Sequence, residues 1–190
     1  MILITGCGRS GTKYITAALR TCGLDVRHER MGADGIVSSF FCFNAPRYPG
    51  RHPQRRPKFD IVLHQVRHPL KSIASIQTGR SWAWTCQFLP VGQKAPLLKR
   101  ACYNWLIFNE EAERISQWTY RIEVLPEVWP ELAARLHIDA TFATVAAIPR
   151  NINTRPHSAI SWEMVDAAAP EISDRIRAAA QRYGYVLQSA

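Results

Sequence analysis

Seven residues near the amino terminus have the types and spacing to hold an anion: Gly6, Gly8 and Gly11, interleaved with Arg9, Ser10, Thr12 and Lys13 in MILITGCGRSGTKY. Glycines let the backbone adopt left-handed or crowded conformations, so successive N–H groups of residues 7–12 can converge on one phosphate or sulfate group. Arg9 and Lys13 add full positive charges to those partial ones. For this to work, the elements on either side must aim the turn. Ile2, Leu3 and Ile4 form a continuous apolar run, the signature of a strand buried on both faces. From Thr12 onward, Ile15, Ala18 and Leu19 fall at helical spacing, so the positive end of a helix dipole points at the bound anion. The nucleoside triphosphate version of such a cradle needs lysine and then a hydroxyl after the last glycine, and here Thr12 and Lys13 stand in the reverse order.

Further along, Gly23 ends the first helix and residues 24–28 make a short second strand, with His28 and Glu29 at its end. Ligands of parallel α/β sheets bind at the carboxyl ends of strands, so this pair belongs near the cradle if the second strand neighbours the first. Residues 30–45 read as a loop followed by an irregular helix whose aromatics join the core. Residues 59–66 (FDIVLHQV) read as the third strand. Arg67-His68-Pro69 stops it, and Pro69 opens a helix through Ser72, Ile73 and Ile76. A guanidinium at that strand end can grip a phosphate bidentately while the Ser75 hydroxyl donates to another oxygen. Residues 78–96, with Trp82 and Trp84, form a long connection. Residues 97–116 make a clear helix, and residues 120–125 (YRIEVL) a fourth strand whose Arg121 and Glu123 face either a ligand or each other. The next helix spans 127–136, residues 138–148 are weakly patterned, and a terminal helix over 162–184 breaks near Pro170.

The 190 residues point to a single domain, 1–190, able to bury a core without disulfides or metals. Five cysteines at 7, 22, 42, 86 and 102 lack paired spacing, so no disulfide framework and no metal site is indicated. Cys7 has a helix N-terminus to activate its thiol, but its reading is a small residue that fits the loop. No twenty-residue apolar span occurs and only five residues precede Gly6, which together predict a cytoplasmic protein without a membrane anchor. A net charge of +9 implies anionic partners, and cations are densest in residues 47–58 (RYPGRHPQRRPK), read as an exposed loop or a flap that collects an anionic acceptor.

Gly8-Arg9-Ser10-Gly11-Thr12 resembles the phosphosulfate-binding loop of sulfotransferases that use 3′-phosphoadenosine-5′-phosphosulfate (PAPS), in its Arg-Ser-Gly-Thr form. Arg67, Pro69 and Ser75 match the spacing of that family's 3′-phosphate site, an arginine, a proline two later and a serine eight later. The resemblance implies an α/β three-layer sandwich with a mostly parallel central sheet, of the P-loop nucleotide-binding type. It makes Gly8, Arg9, Ser10, Gly11, Thr12, Lys13, Arg67 and Ser75 the nucleotide-binding residues, with Arg155 in a late basic loop beside His157. Arg9 stands where the family has its catalytic lysine. The base that takes the acceptor proton is Glu29 or His28, with Glu29 favoured by position and His64 and His68 as further candidates.

The sequence therefore predicts an enzyme that transfers a sulfuryl group from PAPS to a hydroxyl or amine of a small-molecule or carbohydrate acceptor, without a metal, nucleic acid or membrane. Trp82, Trp84 and the basic loop suit a sugar, a phenol or a peptide tyrosine equally, and oligomeric state is not encoded in any visible pattern. A P-loop kinase or nucleotide hydrolase would call for an acidic magnesium ligand at the end of the 59–66 strand, where Gln65 and Arg67 stand. A basic nucleic-acid-binding module would account for the charge alone.

Overall fold

A computed structural model describes residues 1–45, 56–79, 82–149, 152 and 156–187. Five strands, β1 (Ile2–Thr5), β2 (Val26–His28), β3 (Gly35–Val37), β4 (Ile61–Val66) and β5 (Trp118–Arg121), form one sheet in the order β2-β3-β1-β4-β5. Every pairing is parallel, with Ile2 opposite both Gly35 and Ile61. The helices are α1 (Thr12–Thr21), α2 (Pro69–Ile76), α3 (Trp82–Thr85), α4 (Leu97–Ile115), α5 (Leu125–Leu136), α6 (Ala143–Ala146), α7 (Trp162–Ala168) and α8 (Ser173–Arg182).

The chain leaves β1 toward one edge of the sheet and leaves β4 toward the other. Crossovers of one hand that run in opposite directions place their helices on opposite faces. Accordingly, Ile2, Ile4 and Leu63 pack with Ile15 and Leu19 of α1 and Trp129 and Leu132 of α5. On the other face, Val66 packs with Ile73 of α2, Trp105 and Phe108 of α4 and Ile176 of α8. Residues alternate in direction along β1, so Leu3 turns away from Ile2 and Ile4 and meets Ile36, Phe41 and Val62. The whole of β1 is buried, which is why its sequence is apolar without alternation. The loops after β1 and β4 part toward opposite faces and leave a crevice between their carboxyl ends.

Local sequence explains the boundaries of α1. Gly11 precedes it at φ 91, and Gly23 follows it at φ 92. There the Gly23 N–H donates to the Arg20 carbonyl and the Leu24 N–H to the Leu19 carbonyl, the paired closure that a left-handed glycine permits.

Two expectations need correction. Residues 35–37 are not loop but the strand β3, wedged between β1 and β2, so β2 does not neighbour β1. Three residues are too few for a period to show, and Gly35 is required by contact: a Cβ there would lie 2.0 Å from the Ile2 carbonyl oxygen. The last strand runs over Trp118–Arg121, earlier than 120–125, and gives way to a 3-10 turn at Ile122–Val124. Among the described residues no helix is long and apolar enough to cross a membrane.

Candidate functional site

The Gly6–Gly11 loop crosses the carboxyl ends of β1 and β4 and is tied down at three points. Asn109 of α4 accepts from the Cys7 N–H through Oδ1 at 3.1 Å. Gln65 at the end of β4 donates Nε2 to the Ser10 carbonyl at 2.7 Å, and Tyr120 of β5 fixes that amide by donating its hydroxyl to Gln65 Oε1 at 2.8 Å. Arg67, just past β4, donates Nη1 to the Arg9 carbonyl at 3.1 Å. Gly6 lies so close to β4 that a Cβ would sit 2.2 Å from the Gln65 carbonyl oxygen. At Gly11 a Cβ would press on Ile122 at 3.1 Å. Neither contact partner is adjacent in sequence, so the glycines were legible as a turn but not as contacts.

Above the loop opens a cavity of about 490 Å³, a size suited to a small-molecule ligand. Gly8, Arg9, Gly11, Thr12, Lys13, His28, Glu29, Arg67 and Ser75 line it, and the N-terminus of α1 opens onto it. Residues expected from separate stretches thus meet: Arg9 Nε donates to Ser75 Oγ at 3.0 Å, across 66 residues of chain. Ser10 does not reach the cavity with its side chain. It is fully buried, and among the described residues its hydroxyl has no hydrogen-bond partner. Arg155 and most of the 47–58 stretch lie outside the described residues, as does the Trp82 side chain. His157 lines the cavity, whereas Trp84 is exposed and does not.

The two base candidates arrive by way of β2, from the far edge of the sheet. His28 Nε2 lies 3.0 Å from Thr12 Oγ1, which ties the strand to the start of α1. The Glu29 carboxylate accepts from Ser38 Oγ at 2.6 Å and from the Ser39 N–H and hydroxyl, both at 3.2 Å. Arg27, two residues before Glu29, pairs with Asp25. Arg9 (φ 68) and Glu29 (φ 51) are two of the three described non-glycine residues with left-handed backbone. Such strain persists where surrounding contacts over-determine it, commonly at functional sites.

The other titratable groups near β4 take structural roles. His64 is fully buried, and burial pushes its ring down to about 4. Because Asn109 Oδ1 already accepts from Cys7, His64 donates to it from Nε2 (3.1 Å) and accepts the Thr119 hydroxyl at Nδ1 (3.1 Å). His68 stands at the N-cap position of α2 with its ring edge-on to Tyr185, and burial shifts it down too. Glu123 lines the cavity but accepts from the His68 N–H and the Tyr185 hydroxyl, while Arg121 turns away to the Gly184 carbonyl. Burial pushes the Cys7 thiol up to about 12, so it is inert packing rather than a nucleophile.

Three groups at the site carried no sequence signal: the Gln65 and Asn109 amides that hold the loop, and Asn104, which lines the cavity from α4. Gln65 and Asn109 act through backbone atoms distant in sequence, and Asn104 sits within a helix that reads as ordinary core. Comparison with protein-family models, with curated proteins and with solved structures returns no match to this chain.

Proposed function

We propose that this protein is a sulfotransferase of the P-loop nucleotide-binding type that uses PAPS as donor. The observation that carries the reading is the meeting of Arg9, Arg67 and Ser75 in one cavity at the N-terminus of α1. On this reading, two anion grips far apart in sequence serve one ligand bearing two anionic groups. In this reading the glycine loop, Thr12, Lys13 and the α1 dipole hold the 5′-phosphosulfate, and Arg67 with Ser75 holds the 3′-phosphate. Tyr14, Ile122, Leu125 and Ile152 offer an apolar wall for the base on the α1 and α5 side of the sheet.

In the transfer, the acceptor hydroxyl gives its proton to the Glu29 carboxylate as its oxygen forms a bond to sulfur. The bond from sulfur to the bridging oxygen breaks, and the electron pair leaves on the 5′-phosphate of 3′,5′-adenosine bisphosphate. Arg9 meets the charge that gathers on the equatorial and bridging oxygens, and being always charged it donates hydrogen bonds but no proton. His28 positions the loop through Thr12.

Calorimetry of 3′,5′-adenosine bisphosphate binding without magnesium tests this directly. Micromolar affinity in the wild type, weakened tenfold or more (about 1.4 kcal/mol) in Arg67→Ala, is expected. Binding of ATP with magnesium, and none of the bisphosphate, would overturn the reading in favour of a kinase.

A further inference from the structure

Asn104 is only 4% exposed, yet it lines the cavity, and among the described residues none hydrogen-bonds its side-chain amide. Buried polar groups are nearly always satisfied, so an unpartnered amide facing a cavity marks a place where a ligand or water completes it. Its surroundings are apolar. Phe108 lies one helical turn further along α4, and Phe40 packs against it with ring centres 6.1 Å apart. Ile76, at the end of α2, completes that wall. Behind it, Phe43 and Phe108 meet edge to face at 4.8 Å, so the wall is braced by a second aromatic layer.

This recess lies on the α2 and α4 side of the sheet, opposite the wall assigned to the nucleotide base. Glu29 borders it, since Ser39, which donates to the Glu29 carboxylate, directly precedes Phe40. Resting on the sulfotransferase reading, we infer that Asn104 is an acceptor-binding residue, and that the acceptor is an uncharged molecule with an apolar body, a hydroxyl, and a second neutral polar group that bonds the Asn104 amide. An amide supplies one donor group and one acceptor oxygen but no charge. The cations of the cavity, Arg9, Lys13 and Arg67, hold the donor in this reading, while the walls around Asn104 are apolar, which favours an uncharged acceptor body. A site built around a buried hydrogen-bonding group discriminates strongly against an analogue that leaves the group unpaired.

The probes are 7-hydroxycoumarin, with a phenol at one end and a carbonyl at the other, 2-naphthol, of similar shape without the carbonyl, and N-acetylglucosamine. Each is supplied with PAPS to the whole protein, and product is measured alongside calorimetry of 3′,5′-adenosine bisphosphate. The wild type should favour 7-hydroxycoumarin. Asn104→Ala should raise its KM about tenfold, leave 2-naphthol within twofold, and leave bisphosphate affinity unchanged. A preference for the sugar, or an equal effect of Asn104→Ala on both phenols, overturns the inference while sparing the donor assignment. Absence of bisphosphate binding overturns the donor assignment and the inference with it. Should Asn104→Ala fail to fold, nuclear Overhauser contacts between 7-hydroxycoumarin and the Phe40 and Phe108 rings of the bisphosphate-bound wild type decide the matter, their absence counting against the recess.

Discussion

The Arg9 guanidinium donates through Nε to the Ser75 hydroxyl at 3.0 Å, joining the glycine loop after β1 to the helix after β4. Both residues line the cavity, so whatever anion enters must share or replace this bond. A hydrogen bond from a charged donor is stronger than a neutral one and fixes the donor's direction. Ser75 therefore sets where the Arg9 charge points before any ligand arrives.

Ser75→Ala removes both that aim and a hydroxyl for the ligand. Affinity for 3′,5′-adenosine bisphosphate should fall about tenfold, in keeping with the roughly 1.5–3 kcal/mol of a hydrogen bond to a charged group. The melting temperature should change little, because the lost bond borders the cavity. Unchanged affinity by calorimetry would mean that Ser75 only braces Arg9 and does not meet the ligand.

The loop glycines separate by contact. Gly6→Ala drives a Cβ to 2.2 Å from the Gln65 carbonyl oxygen at a backbone angle of φ 151, and it should destabilise the fold by about 1–3 kcal/mol. Gly8→Ala meets no atom within 4 Å and should change stability by less than about 0.5 kcal/mol. Because Gly8 lines the cavity, its methyl should still weaken anion binding. Thermal melts of the two variants check the contrast, and equal melting points would show that the loop relaxes freely.

Acid stability reports on His64. Its ring is held at about 4 in the fold against an ordinary value of 6.5, the cause being burial, with the Asn109 hydrogen bond and the Glu113 charge acting in the opposite direction. Between those values the unfolded chain binds a proton that the native chain does not, so stability falls as pH falls from 6.5 toward 4, by about 3 kcal/mol. Glu113, held below the usual carboxylate range mainly by Arg182, adds an acid loss of its own at lower pH. Urea midpoints at pH 7 and pH 4.5 should therefore differ less in His64→Gln than in the wild type. A variant with the same pH dependence would place the proton uptake elsewhere.

Much of the candidate site around the glycine loop is legible in the sequence because it is local. The strand, glycine turn and helix over residues 2–21 need no distant contact to be read, and Pro69 opens α2 by its own fixed φ. The 19 residues of α4 announce themselves by their buried stripe of Cys102, Trp105, Phe108 and Ala112. By contrast, β3 is three residues long, shorter than any period that distinguishes a strand from a loop, and it exists because Gly35 can lie against Ile2. Its insertion moved β2 to the sheet edge, yet His28 still reached the loop, through Thr12 at the start of α1 rather than through strand pairing.

The sequence by itself determined a glycine-rich turn between a buried strand and a helix, and a second cation and hydroxyl at the end of another strand. Spacing along the chain encodes such local geometry directly. Only the tertiary structure decided that Arg9 and Ser75 share a hydrogen bond, that Gln65 and Asn109 pin the loop, and that Asn104 stands in an aromatic recess without a side-chain hydrogen bond among the described residues. Each of these joins segments tens of residues apart, and the order of strands in the sheet sets which segments meet.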